Sequence, residues 1–197
     1  MNTSSISAEA KAHFAQGVRL SQHPSTVDQS AAAFEEAIRL HPEYAEAYFE
    51  LGTMYYRWSH FQKAIEPLKK AIELQPDQPA AYGNLGMNYN LAGMYRDAEA
   101  ILRKLIEIVP NHISGHYELG FALLQQRRSE EAIQHFRTTV KLHPQHAMAY
   151  YFLSLALVCN VRDFRGARQL LRELEEPHPA EAQHLALLIS LNDPSQG

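Results

Sequence analysis

The sequence predicts an all-α fold, a right-handed superhelical solenoid of about five antiparallel helix pairs closed by a C-terminal capping helix. Residue types return at one fixed interval of 34 along most of the chain, and within each interval apolar residues follow three-and-four spacing. A proline closes each interval.

The phasing is clearest at Leu51, Leu85, Leu119 and Leu153. Gly52, Gly86 and Gly120 follow directly, and Ser154 takes the fourth place. Tyr48, Tyr82, His116 and Tyr150 precede the leucines by three, and Tyr55, Tyr89, Leu123 and Leu157 follow by four. Those offsets put all of them on one helical face. The second half of each interval carries Ala64, Ala98 and Ala132, then Phe34, Leu68, Leu102 and Phe136, then Pro42, Pro76, Pro110 and Pro144. The break between the halves falls near Ser59 or Gly93, so each interval is two helices. The recurring proline blocks continuation of the second helix and biases the preceding residue away from helical geometry. Small residues let the two backbones approach, while tyrosine and leucine fill the space above and below. One pair cannot bury such a face, so neighbouring pairs stack, with first helices lining the inner surface.

These columns resemble the tetratricopeptide repeat family, whose 34-residue unit carries an aromatic, Leu-Gly, Tyr, Ala, an aromatic or leucine, Ala and Pro. Units 45–78, 79–112 and 113–146 fit without gaps. Units about 10–44 and 147–181 are degenerate. In the first, Gly17 lies 35 residues before Gly52 and the turn around His23, Pro24 and Ser25 is stretched. In the last, Ala167 comes one place late and the second helix is expected to stop at Glu176, before Pro177 and Pro179. Residues 180–192 read as a capping helix with Ala182, Leu185, Ala186 and Ile189 on its packing face. Leu187, Leu188 and Leu191 make it more apolar than a cap requires. One solenoid domain over 1–192 and a disordered tail over 193–197 follow. Pro67, inside the second helix of unit 45–78, predicts a slight kink.

Composition narrows the function. Net charge −4 and a pI near 6.2 give no basic field for phosphates, so nucleic acid is not an expected partner. Residues 1–50 carry three basic and seven acidic side chains, which reads as a solvated surface. Residues 1–12 lack the basic start and apolar run of a secretory signal, and no window reaches membrane-spanning length. A single cysteine, Cys159, fits a reducing, cytoplasmic setting, and its apolar surroundings suggest an inert buried thiol. The pairs His112/His116 and His143/His146 have spacings that could join two imidazoles, but no cysteine or acidic cluster completes a metal site. His41 and His143 share a turn slot, and His116 replaces a tyrosine in the packing column, so structural roles account for them. There is no phosphate-cradling glycine loop, nucleophile elbow or zinc-binding helix. The expectation is no cofactor, no metal and no enzyme activity.

The resemblance implies a concave groove lined by first-helix residues outside the packing columns. By phase these are Phe14, Val18, Phe49, Thr53, Tyr56, Ala80, Gly83, Asn84, Met87, Asn90, Tyr117, Phe121, Leu124, Tyr151 and Leu155. They are mostly apolar, so the expected partner is another protein that offers an apolar peptide or helix. The carboxylate clamp of chaperone-binding members is not supported, because Phe49 and Thr53 stand where a lysine–asparagine pair is wanted, and Ser114 and Glu118 at the later positions. Asn84, Asn88 and Asn90 resemble a backbone-bonding asparagine ladder in one unit only. Ala80 and Gly83 offer almost no side chain, which predicts a hollow among aromatic neighbours. Two alternatives remain: a self-assembling unit that makes homo-oligomers through the groove or the C-terminal helix, and a targeting domain of a larger enzyme.

Overall fold

The structure is a computed structural model that describes residues 6–175 and 177–193. Among the described residues eleven α-helices run α1 (Ala8–Leu20), α2 (Val27–Leu40), α3 (Ala45–Arg57), α4 (Phe61–Leu74), α5 (Pro79–Leu91), α6 (Tyr95–Ile108), α7 (Ile113–Gln125), α8 (Ser129–Leu142), α9 (Ala147–Leu155), α10 (Phe164–Leu174) and α11 (Pro179–Asn192). No strand occurs among the described residues. Two compact units divide the chain, residues 1–101 and residues 102–197, with the boundary inside α6.

Each unit is built by the expected columns. In unit 1, α1 packs on α2 and α3 on α4, and a Cβ on Gly17 would come within 2.7 Å of the Phe34 ring. On Gly52 it would reach 2.6 Å from Leu68 and 3.2 Å from the Ala64 carbonyl, distances at which something must shift. Glycine sits there because the helices cross too closely for any side chain. In unit 2 the same relation recurs, where a Cβ on Gly120 would come within 2.9 Å of the Phe136 ring. Phe34, Leu68, Leu102 and Phe136, one per interval, are fully buried.

The connections repeat as well. Between the two helices of a pair the backbone turns left-handed at Ser59 (φ 62°), Gly93 (φ 75°), Arg127 (φ 62°) and Arg162 (φ 56°). The first three are 34 apart, and each turn is closed by a six-residue backbone bond: His60 N–H to the Tyr55 carbonyl, Met94 to Tyr89, Arg128 to Leu123. The fourth is one residue late. A π-helical turn over Ala156–Asn160 holds the extra residue, and Asp163 N–H accordingly reaches back to Leu157. This accounts for the late Ala167. At the other end of each pair, the residues before Pro42, Pro76 and Pro144 take extended ψ values of 89°, 81° and 86°, as a following proline demands.

The first pair's extra residue is housed in a 3₁₀ turn, Pro24–Thr26, which Thr26 Oγ1 and Ser30 Oγ tie to the carbonyls of Leu20 and Gly17. α4 runs as an unbroken α-helix through Pro67. α10 ends at Leu174, and Glu176 lies outside the described residues. On α11 the packing face is Ala182, Leu185 and Ile189, whereas Ala186 is exposed. Asp193, read from sequence as tail, is instead buried and ion-paired with Arg168 of α10. The rest of that tail, 194–197, lies outside the described residues. Among the described residues no helix is long and apolar enough to cross a membrane.

Candidate protein-binding faces

In unit 1, the candidate residues on α3 and α5 are half-buried at Phe49, Thr53, Tyr56, Gly83, Asn84 and Met87, and exposed at Ala80. Asn84 Nδ2 donates to Thr53 Oγ1 at 3.0 Å, so these two join helices of successive pairs. Asn88 is fully buried and donates to the Asn84 carbonyl, which directs it along its own helix. Asn90 is buried too, and a ladder of exposed amides does not form. Beside Phe49, burial pushes the Glu50 carboxyl up, Arg57 pulls it back, and Glu46 adds to the rise. On α1, Val18 is half-buried, while Phe14 packs into a cluster with Tyr44, its rings 5.1 Å from that tyrosine and 5.9 Å from Phe34.

Unit 2 places its candidates around an aromatic cluster centred on Phe152, which the sequence reading passed over. Phe152 stacks on Phe136 (5.8 Å, 16°) and meets Phe121 edge-on at 5.5 Å, Tyr151 edge-on at 5.3 Å and Tyr117 at 6.2 Å. Burial pushes the Tyr117 phenol up. Leu124 is buried, and Leu155 half-buried. Leu124 therefore serves the core rather than a face open to a ligand.

Most of the exposed large apolar side chains lie on α9 and α11. Among the described residues six large apolar side chains are exposed, and four are here: Met148 (50%) and Tyr151 (40%) on α9, Leu187 (57%) and Leu191 (72%) on α11. Helical geometry places His184, Leu187 and Leu191 on one face of α11, and Met148, Tyr151 and Leu155 on one face of α9. The Tyr151 and His184 rings lie 5.0 Å apart. Beside them is a cavity of about 250 Å³, walled mainly by Met148, Tyr150, Tyr151 and Ala180.

Three of the four histidines singled out by spacing, His112, His116 and His146, act on the backbone. His112 Nδ1 accepts the Gly115 N–H (3.0 Å) and His146 Nδ1 accepts the Ala149 N–H (3.2 Å), each capping the helix that follows. The two caps are 34 residues apart, a periodicity that could have been read. His116 reaches the Pro110 carbonyl through Nε2 (2.8 Å), the role Tyr82 OH plays at Pro76 (2.9 Å), and its Nδ1 lies 3.0 Å from His135 Nδ1. Groups of three or more metal-binding side chains do not occur among the described residues. Cys159 is exposed, not buried as its apolar neighbours suggested; it lies near the end of the π turn, just past the buried Ala156, Leu157 and Val158.

Two family models, both described as tetratricopeptide repeat, match the chain, one over residues 26–79 and 117–182 and the other over 59–119. No curated protein matches in sequence. Among solved structures, MamA (residue 41 to its end) from Desulfovibrio magneticus is 17% identical with a TM-score of 0.75, over 98% of this chain and 100% of that one. YrrB, described as a tetratricopeptide repeat protein with an unusual peptide-binding site, is 19% identical with a TM-score of 0.73, over 91% and 98%. The Arabidopsis OM64 domain of the same repeat type is 23% identical with a TM-score of 0.56, over 57% and 93%. At these identities the likeness is one of fold.

Proposed function

The chain belongs to the tetratricopeptide repeat family, and from that premise we propose that it is a protein-interaction module that holds an apolar segment of a partner and does no chemistry on it. The observation that carries this reading is the concentration of exposed apolar side chains along α9 and α11. Water-exposed Met148 and Tyr151 on α9 and Leu187 and Leu191 on α11 are the side chains that a partner's apolar face would cover. YrrB, similar in fold, is described as having a peptide-binding site, which agrees with this use of the architecture. In unit 1 the corresponding contacts are Phe49, Thr53, Tyr56 and Met87. There the low stretch at Ala80 and Gly83 admits a partner side chain, and Gly83→Leu is expected to weaken binding by about 2 kcal/mol. The single exposed thiol, Cys159, fits a reducing, cytoplasmic setting.

The test is affinity capture with the whole chain and with Met148→Glu/Leu187→Glu, followed by mass spectrometry. Prey held by the unmodified chain and lost by the double variant, with helicity unchanged, supports the reading. Identical prey on both would sink it.

A second reading, self-association through α11, is favoured by the exposure of Leu187 and Leu191. Light scattering across a concentration series decides it, since a monomer at the highest concentration rules it out.

A further inference from the structure

The charge pattern of the second helices breaks at α8. Two positions one turn apart carry opposite charges on α2 (Glu35 and Arg39), α4 (Lys69 and Glu73) and α6 (Arg103 and Glu107), each pair 34 residues after the last. On α8 the same two positions are Arg137 and Lys141, both cations. Like charges at this spacing repel along a helix and weaken it, so the doubling does nothing for α8 itself. The acidic residues of α8, Glu130 and Glu131, stand in its first turn, and Glu131 is taken by Arg103 and Arg128.

The break coincides with a cavity. About 400 Å³ of space opens among α8, α9 and α10, all of unit 2, a size that small-ligand sites share. Arg137 and Lys141 line it from α8 together with half-buried Val140, and Tyr150 of α9 and Leu170 of α10 continue the apolar part of the lining. Tyr150 and Leu170 remain 8% and 7% exposed, so a guest meets their rims as well as Val140. From α10 come Gln169 and Glu173, joined by a bond of 3.1 Å from Gln169 Nε2 to Glu173 Oε1. Two cations thus face one carboxylate.

Charge complementarity selects the occupant. A bare phosphate gains at the two cations and has no use for Val140, Tyr150 and Leu170. An uncharged apolar side chain uses those three and gains nothing at Arg137 and Lys141. A carboxylate beside an apolar side chain uses both, because the arginine fork and the lysine ammonium each bond a carboxylate oxygen. Glu173 opposes that guest, and its tie to Gln169 draws it along its own helix.

We infer that this cavity receives an acidic, apolar peptide segment of the partner, with a glutamate carboxylate between Arg137 and Lys141 and an adjoining leucine side chain over Val140, Tyr150 and Leu170. This contact rests on the protein-interaction reading and adds to it a charged site that Met148, Leu187 and Leu191 do not line.

The experiment is NMR titration of the whole chain at low salt with acetylated, amidated Leu-Glu, its Leu-Gln counterpart and inorganic phosphate. Saturable shifts at Val140, Lys141 and Leu170 are expected, with Leu-Glu binding about fivefold more tightly than Leu-Gln, as two partly exposed ion pairs imply. In about 0.5 M salt that preference is expected to shrink toward parity. Lys141→Glu restores the alternation of α4 and α6, so helicity is expected to hold while the preference disappears. Glu173→Gln is expected to tighten Leu-Glu binding about twofold by removing the opposing charge. Equal binding of the two peptides overturns the inference, as does a preference that survives Lys141→Glu or a Glu173→Gln chain that binds Leu-Glu more weakly. Phosphate bound as tightly as Leu-Glu overturns it in favour of a general anion site. The same shifts on concentrating the chain without peptide overturn it in favour of a second copy. The interaction module survives each of these results and falls only to the capture experiment.

Discussion

Units 1 and 2 execute one 34-residue pattern with different chemistry. The residues that precede α3 and α5 in unit 1, Tyr44 and Gln78, make no side-chain bond to the helix they open. Their counterparts in unit 2, His112 and His146, each accept an N–H three residues on. Where unit 1 ties Tyr82 OH to the Pro76 carbonyl, unit 2 ties His116 Nε2 to Pro110. The columns thus specify volume and direction, and any group of about the right length supplies the bond. The substitution is not neutral, because imidazole gains a proton in weak acid and a phenol or carboxamide does not.

The largest test of the comparison removes the centre of one unit. Phe136→Ala is expected to cost about 3–5 kcal/mol, since a fully buried ring stacked on Phe152 and fitted against Gly120 leaves a void. Contacts in repeat folds are mostly between neighbours. Hydrogen exchange is therefore expected to show α7, α8 and α9 losing protection while α1 and α2 keep theirs. Equal loss in both would erase the distinction between units.

Gly52→Ala in unit 1 comes next. Overpacking against Leu68 and the Ala64 carbonyl, less about 1 kcal/mol of helix propensity regained, leaves a net loss of about 1–2 kcal/mol. A raised urea midpoint would contradict the close approach.

Acid sharpens the contrast directly. Burial holds the His146 imidazole below its ordinary value, with His143 adding to the depression. The folded form therefore binds fewer protons than the unfolded, so the stability this group contributes is full above about pH 6.5 and declines as pH falls below it. Protonation at Nδ1 also removes the cap, worth about 1 kcal/mol. Tm measured at about pH 7.5 and about pH 5.5 is expected to drop for the native chain and to drop less for His146→Gln, which copies Gln78. An unchanged pH dependence would assign the drop elsewhere.

The smallest effect concerns the left-handed turns. Arg127→Gly relieves a side chain at φ 62° and is expected to stabilise by about 0.5–1 kcal/mol. Gly93→Ala at φ 75°, where a Cβ would touch nothing, is expected to destabilise by about 1 kcal/mol through conformation alone.

Most of the helix-pair architecture was legible because packing repeats volume: Leu51 and its column, Gly52 opposite Leu68, and the prolines that force extended residues before them. The late Ala167 announced an irregularity whose form, a π turn, no propensity reveals. The candidate binding faces were half legible. Phase placed Phe49, Tyr117 and Tyr151 on first helices, but it could not separate Leu124 and Asn90, which the fold buries, from neighbours it leaves open. Phe152 was passed over because its column holds Glu50, Asn84 and Glu118, which look unrelated until the rings are seen stacked. The α9/α11 cavity lay beyond the columns altogether, since α11 follows no 34-residue register and its angle against α9 is set by tertiary packing at Ala182, Leu185 and Ile189.

The π turn at Ala156–Asn160 also bears on how such a chain tolerates an added residue. An added residue shifts every later side chain about 100° around its helix unless something takes up the slack. Here the slack is taken up within five residues, and Ala167 and Leu170 still arrive buried. The last turn of a first helix can thus take up an added residue while the candidate binding surface before it stays in frame.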